Sequence, residues 1–159
     1  MNPESAVLQR LSGLDSLKTV ILAIGNVLKG DDGAACAVIE KLKGKVGAEL
    51  VDAGTVPENY IGRIIKKRPD SLIVIDAVDF DSAPGSIGIL KPGQLSGVVL
   101  STHSLSPRLF IDMIRTQLQL RVYFIGIQPS QTKMGRPLSP QVSAAVDRLA
   151  EMLIEVFAR

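Results

Sequence analysis

Cysteine occurs once, at Cys36, and tryptophan not at all. A lone thiol excludes a disulfide framework and any zinc or iron–sulfur site assembled from the cysteines of one chain, and it fits a reducing, cytoplasmic setting. Aromatic residues are few, two Tyr and four Phe, and 18 Lys and Arg against 16 Asp and Glu leave a formal charge of only +2. That pattern holds neither the cationic stripe nor the stacking platform that nucleic acid requires, so no nucleic-acid partner is expected. Long apolar runs are missing too. Stretches such as Thr19–Ile24 and Ser71–Ile75 fall far short of the roughly 20 residues that cross a bilayer, so no membrane insertion is expected. The N-terminus places acids at Glu4 and Asp15 and its first base at Arg10, without the basic start and compact apolar stretch of a secretion signal. Export by that route is not expected.

What is present is enough apolar material for one ordinary domain. Of 159 residues, 46% are hydrophobic, and a chain of this length buries roughly 70% of its unfolded surface on folding. Residues 1–17 read as an N-terminal extension in which Val7, Leu8, Leu11 and Leu14 recur at helical spacing, a short amphipathic helix packed outside the main fold. The remainder, 18–159, reads as a single α/β/α domain. Thr19–Ile24 is a continuous branched run, as in a strand buried on both faces, and Ala35, Val38, Ile39, Leu42 and Val46 then follow helical spacing.

The alternation repeats along the chain. Ala48–Asp52 reads as a strand, and Thr55-Val-Pro-Glu58 as a capping box opening a helix through Ile61, Ile64 and Ile65 that Pro69 stops. Ser71–Ile75 is a buried strand ending at Asp76. Gly85–Leu90 follows with too few residues for a crossover, so it is expected to run antiparallel at an edge. Ser106-Pro107 opens a helix to about Leu118, Val122–Ile127 is a further strand, and Ser139-Pro140 opens the last helix. Strands alternating with helices imply a three-layer α/β/α sandwich around a mostly parallel, twisted sheet of about five strands with one antiparallel edge strand.

Ligands of such sheets bind beyond the carboxyl ends of the strands. The polar residues there are Asn26, Asp31 and Asp32 after the first strand, Asp52 after the second, and Asp76 and Asp79 after the third. The loop Gly25-Asn-Val-Leu-Lys-Gly-Asp-Asp-Gly33 has the glycine content of a phosphate loop, but carboxylates stand where Lys and Ser or Thr would be, and they compete with phosphate for the helix amides. One of Asp31 and Asp32 suffices as a helix cap, which leaves the other to face the cleft. Asp76 is either a site residue or a turn aspartate satisfied by backbone amides. Asp79, further into its loop, reads as solvated.

His103 is the only histidine, in a polar loop that can reach the same edge. Two carboxylates and one imidazole make a borderline-hard metal site with open positions, suited to zinc, nickel or iron. A serine-hydrolase reading through Ser101 or Ser104 lacks the Gly-x-Ser-x-Gly elbow. Cys36 lies near a helix start, where thiols acidify, but a small buried residue of the first core helix is the plainer reading. Pro129-Ser-Gln-Thr-Lys-Met-Gly-Arg-Pro137 is either a rim of the cleft or a plain connection.

Gly25–Gly33, Asp52-Ala-Gly-Thr55, Ile73-Val-Ile-Asp-Ala77, Thr102-His103 and Gly126-Ile-Gln-Pro129 fall in the order and spacing of the nickel–iron hydrogenase maturation endopeptidases. The chain resembles this aspartyl-type endopeptidase family from about Lys18 onward, and Gly30-Asp-Asp-Gly33 and Pro57-Glu-Asn59 are most similar to the branch serving formate-hydrogenlyase-type, membrane-associated hydrogenases. The resemblance implies a cytoplasmic enzyme that removes the C-terminal extension of the hydrogenase large-subunit precursor after nickel insertion. It maps the metal contacts onto Asp32, Asp76 and His103, assigns Asp31 to capping, and maps substrate selection onto Asp52, Gly54 and Thr55, with Ala53 departing from the family's Asp-Gly-Gly-Thr.

Nickel would arrive on the precursor, with no organic cofactor, and either carboxylate could act as base. Two other readings remain open on sequence alone. One is a nickel-sensing or chaperone-like module that docks the precursor without cutting it; the other is a small phosphohydrolase or nucleotide-binding protein of similar architecture. Nothing in the charge or heptad pattern demands an oligomer, and a monomer is permitted.

Overall fold

The computed structural model describes residues 2–95 and 106–159. Its sheet contains β1 (Thr19–Ala23), β2 (Glu49–Asp52), β3 (Ser71–Ala77), β4 (Ile87–Leu90) and β5 (Arg121–Ile127), in the spatial order β2-β1-β3-β5-β4. The first four of that order pair in parallel, and β4 pairs antiparallel with β5, Ile87 opposite Ile127. The antiparallel edge expected from the short 77–87 connection is therefore present. The central strands are long branched runs because both of their faces are covered. Residues Ile21, Ile73, Ile75, Ile125 and Ile127 face one core and Val20, Leu22, Leu72, Val74 and Phe124 the other.

Helices α2 (Ala34–Leu42) and α6 (Pro140–Phe157) cover the first face, and α3 (Ile61–Lys67) and α5 (Pro107–Arg115) cover the second, with the short α4 (Pro92–Leu95) beside α5. Among the described residues no helix is long and apolar enough to cross a membrane.

The N-terminal helix α1 (Pro3–Leu11) is more tightly integrated than a helix packed outside the fold. Asn2 caps it, its side-chain oxygen accepting from the Glu4 and Ser5 amides at 2.7 and 3.2 Å. Val7, Leu11 and Leu14 belong to the core beneath α6, and full burial of Val7 and Leu11 contributes roughly 1.5–3 kcal/mol each. Arg148 of α6 ties this end together. Its guanidinium pairs with Glu4 at 2.9 Å and donates to the Gly85 carbonyl at 3.1 Å.

One cap differs from the sequence reading. The turn at Pro57–Tyr60 and α3 begin without a side-chain cap, so the Thr55–Glu58 capping box does not form; Pro57 at the first position starts the turn instead. Ser106 does cap α5, accepting from the Leu109 amide at 3.1 Å. Ser139 does not cap α6, because its hydroxyl is committed elsewhere.

Candidate active site

The carboxyl ends of β2, β1 and β3 lie side by side, and each leads into one of the candidate acids. β3 runs two residues beyond its purely apolar run, so Asp76 is a strand residue, opposite Gly126 and completely buried. By strand alternation it shares the face of Leu72 and Val74, on the side covered by α3 and α5. Gly126 is small for a reason. A Cβ there would meet Val78, Leu90 and Phe80 at 2.8–3.3 Å, so the chain leaving β3 could not fold back over β5.

Asp32 reaches the same edge through the loop after β1. Its carbonyl and its carboxylate Oδ2 both accept from the Asn26 amide, each at 3.1 Å, which closes the loop into a ring. Gly25 permits the closure, since a Cβ there would overlap the Asp32 carbonyl. Asp32 is 3% exposed and lines a cleft with Ala77, Asp79, Gln128 and Thr132. The third expected member, His103, lies outside the described residues. Among the described residues no group of three or more His, Cys, Asp or Glu side chains stands ready to hold a metal ion.

Asp31 corrects the capping assignment. α2 starts without any side-chain cap, and the Asp31 carboxylate turns the other way. Its Oδ2 accepts from the Ser130 and Gln131 amides at 2.8 and 3.1 Å and from the Ser139 hydroxyl at 2.9 Å; its Oδ1 accepts from the Ser139 amide at 2.7 Å. A buried charge with four donors is satisfied, and here it fastens the segment between β5 and α6 to the loop after β1. That segment is therefore a bonded wall of the cleft rather than a plain connection. The Gly30 amide donates to the Arg136 carbonyl and the Asp31 amide to the Gln131 carbonyl.

Asp52 is exposed at the end of β2, and its Oδ1 accepts from the Gly54 amide at 3.1 Å and from the Cys36 thiol at 3.2 Å. Gly54 has φ +55°, a conformation suited to glycine, and its carbonyl accepts from the Gly25 amide. Thr55 follows, partly exposed. The Asp52–Thr55 segment thus buttresses the loop that carries Asp32. Burial pushes the Cys36 thiol well above its ordinary range, and Asp52, Asp76 and Asp32 all push in the same direction. A protonated, buried thiol is no nucleophile, so the plain reading of Cys36 holds.

Asp79 is exposed as expected but not free. The Asp81 amide and then the Gln128 side chain donate to it, holding its carboxyl below the usual carboxylate range. Gln128, 6% exposed, escaped the sequence reading as an individual residue. Its Oε1 accepts from the Phe80 and Ser82 amides at 2.9 and 3.2 Å, latching the segment after β3. The available signal was a polar residue directly after a buried run, inside Gly126-Ile-Gln-Pro129.

Fold and site together define a three-layer α/β protein with an acidic cleft at the carboxyl edge of its sheet, built for chemistry with carboxylates where a nucleotide carrier would need phosphate-binding groups. Comparison with known proteins narrows this. Residues 36–156 match the family model described as HycI, hydrogenase maturation protease. The hydrogenase 3 maturation protease of Escherichia coli K12 is 32% identical over 137 residues, covering 84% of this chain and 87% of that one. The crystal structure of the hydrogenase maturation protease HycI from Thermococcus kodakarensis superposes with a TM-score of 0.85 at 31% identity, covering 95% and 97% of the two chains. The solution structure of endopeptidase HycI from Escherichia coli gives 0.79 at 31% identity, covering 89% and 96%. The chain belongs to the hydrogenase maturation protease family and is an enzyme that hydrolyses a peptide bond.

Proposed function

We propose that the protein removes the C-terminal extension of a nickel–iron hydrogenase large-subunit precursor, in the cytoplasm, after nickel has been inserted. The observation that carries this reading is the pair of buried carboxylates, Asp32 and Asp76, at the ends of the neighbouring strands β1 and β3 in a member of a maturation protease family. Two carboxylates brought to one edge of an apolar sheet supply oxygen ligands for a divalent cation, and a nickel ion arriving on the substrate is such a cation.

Asp32, Asp76 and His103 would complete the coordination of nickel already held by precursor cysteines, which brings the scissile bond to the cleft by proximity. One of the two carboxylates, once the metal is engaged, would take a proton from the attacking water. Asp52, Gly54 and Thr55, on the neighbouring strand end, would contact the precursor beside the bond and select it.

Intact-mass spectrometry of nickel-loaded and nickel-free precursor after incubation with the enzyme tests the scheme. Loss of a C-terminal peptide from the nickel-loaded form alone is the expected result. Equal cleavage of both forms would remove nickel as the recognition element, and persistence of both would remove the activity on that precursor.

A further inference from the structure

Asp79 lines the same cleft as Asp32 and takes no part in the scheme above. Its direction is set more firmly than an exposed carboxylate requires. An Asx turn needs only the Asp81 amide, which donates to Oδ1 at 3.0 Å. A second donor is spent on the same oxygen, the side-chain Nε2 of Gln128 at 3.1 Å, from a residue 49 positions away that is 6% exposed. Water serves an exposed carboxylate nearly as well, so a buried amide given to it contributes direction more than stability. The second oxygen, Oδ2, accepts from no donor among the described residues, and Asp79 enters no ion pair there. One oxygen is pinned and the other is left for a group that enters the cleft.

The sign of that group follows from the lining. Asp32, Asp79, Gln128, Ser130, Gln131 and Thr132 supply the polar side chains, with neither Lys nor Arg among them. Asp81, beside Asp79, is exposed and adds negative charge. Lys133, the residue after Thr132, lines a separate depression with Arg136. A carboxylate that faces a cleft without a basic partner from its own chain is complemented by a cation on the substrate. A metal ion needs several converging ligands, and among the described residues no such group of three stands ready. A guanidinium or ammonium makes a charge-assisted hydrogen bond to a single carboxylate oxygen.

Resting on the reading proposed above, we infer that Asp79 is a specificity-determining residue of the protease, taking a Lys or Arg side chain of the precursor close to the scissile bond, and that Gln128 is the positioning residue that aims it. Asp32 and Asp79 line one cleft, so the metal met by Asp32 and the cation met by Asp79 belong to neighbouring parts of one substrate. Neither charge of this pair changes as the peptide bond breaks. The contact is therefore made equally in the bound substrate and in the transition state, and it acts on binding. Its preorganisation by Gln128 cuts the cost of ordering the carboxylate when the substrate arrives.

Asp79→Asn tests this, since it keeps an oxygen for both donors and removes only the charge. With nickel-loaded precursor it is expected to raise KM and weaken binding about tenfold, with kcat within about threefold. Gln128→Ala, assayed well below its melting temperature, raises KM by a similar factor, and combining the two changes adds nothing further, because Gln128 acts through Asp79. Charge exchange identifies the partner. Of precursors in which each Lys or Arg flanking the cut is changed singly to Glu, one is expected to be bound and cut poorly by the wild type and to recover at least about fivefold with Asp79→Lys. Unchanged KM and affinity of Asp79→Asn overturn the role of Asp79, and so does the failure of every exchanged pair to recover. A loss confined to kcat assigns Asp79 to the metal or the reaction and overturns it as well. Effects that multiply in the double variant overturn the part given to Gln128. A wild-type enzyme that binds but does not cut removes the proteolytic reading while the affinity of Asp79→Asn still decides the ion pair; one that neither binds nor cuts removes both.

Discussion

Asp31 and Asp32 are consecutive, both buried, and fated differently by the two flanks of one loop. The outer flank meets the segment between β5 and α6, which surrounds Asp31 with four donors. The inner flank meets the cleft beside Ala77 and Asp79, where Asp32 takes the Asn26 amide and lines open space. The lesson is that a pair of adjacent acids divides its work by the elements that happen to flank it. A carboxylate saturated with amides is a fastening, and one lining a cleft can meet substrate.

The division breaks most visibly at the cleft. Asp32→Asn, Asp76→Asn and His103→Ala are each expected to lower precursor processing by at least about 100-fold while leaving the far-ultraviolet circular dichroism unchanged. Normal processing by any of them would sink its role. Asp31→Ala should do the reverse. Stranding the amides of Ser130, Gln131 and Ser139 costs about 3 kcal/mol, which in a domain of this size lowers the melting temperature by about 6–12 °C. A thermal melt that does not move would show that these bonds contribute nothing net.

Gln128→Ala sharpens the contrast on the β3 side, with an expected cost of about 1–3 kcal/mol in urea unfolding because the Phe80 and Ser82 amides lose their acceptor. The smallest effect belongs to Cys36→Ala, which should leave processing intact. The folded thiol ionises only above its unfolded value of 9.0, so its contribution to stability is fully present below that pH and is lost as pH rises past it. A pH series of unfolding free energies should show the decline in wild type and lose that component in the variant; processing that depends on Cys36 would reopen the nucleophile reading.

Periodicity made most of the fold legible in advance. Runs such as Leu72–Ile75 and the spacing of Val142, Val146, Leu149 and Leu153 can be buried in few ways, and the 77–87 connection is too short for a crossover, which forces β4 antiparallel. The candidate acids were legible as well, because topology puts strand ends together whatever the loops do. The partners of those acids were not. Asp31 meets residues 99 to 108 positions away, and Gln128 reaches back 46 to 49. No local pattern encodes contacts of that range.

What the sequence determined by itself, then, was the layered sheet, the family and the acids at its carboxyl edge, since these follow from local hydrophobic spacing and from motifs in a fixed order. Only the tertiary structure decided that Asp31 fastens a wall while Asp32 lines the cleft, that Ser139 serves Asp31 instead of its own helix, and that Gln128 latches the segment after β3. Each of those outcomes is settled by which segments pack against one another, and the free energy of such long-range contacts resides in no single stretch of chain.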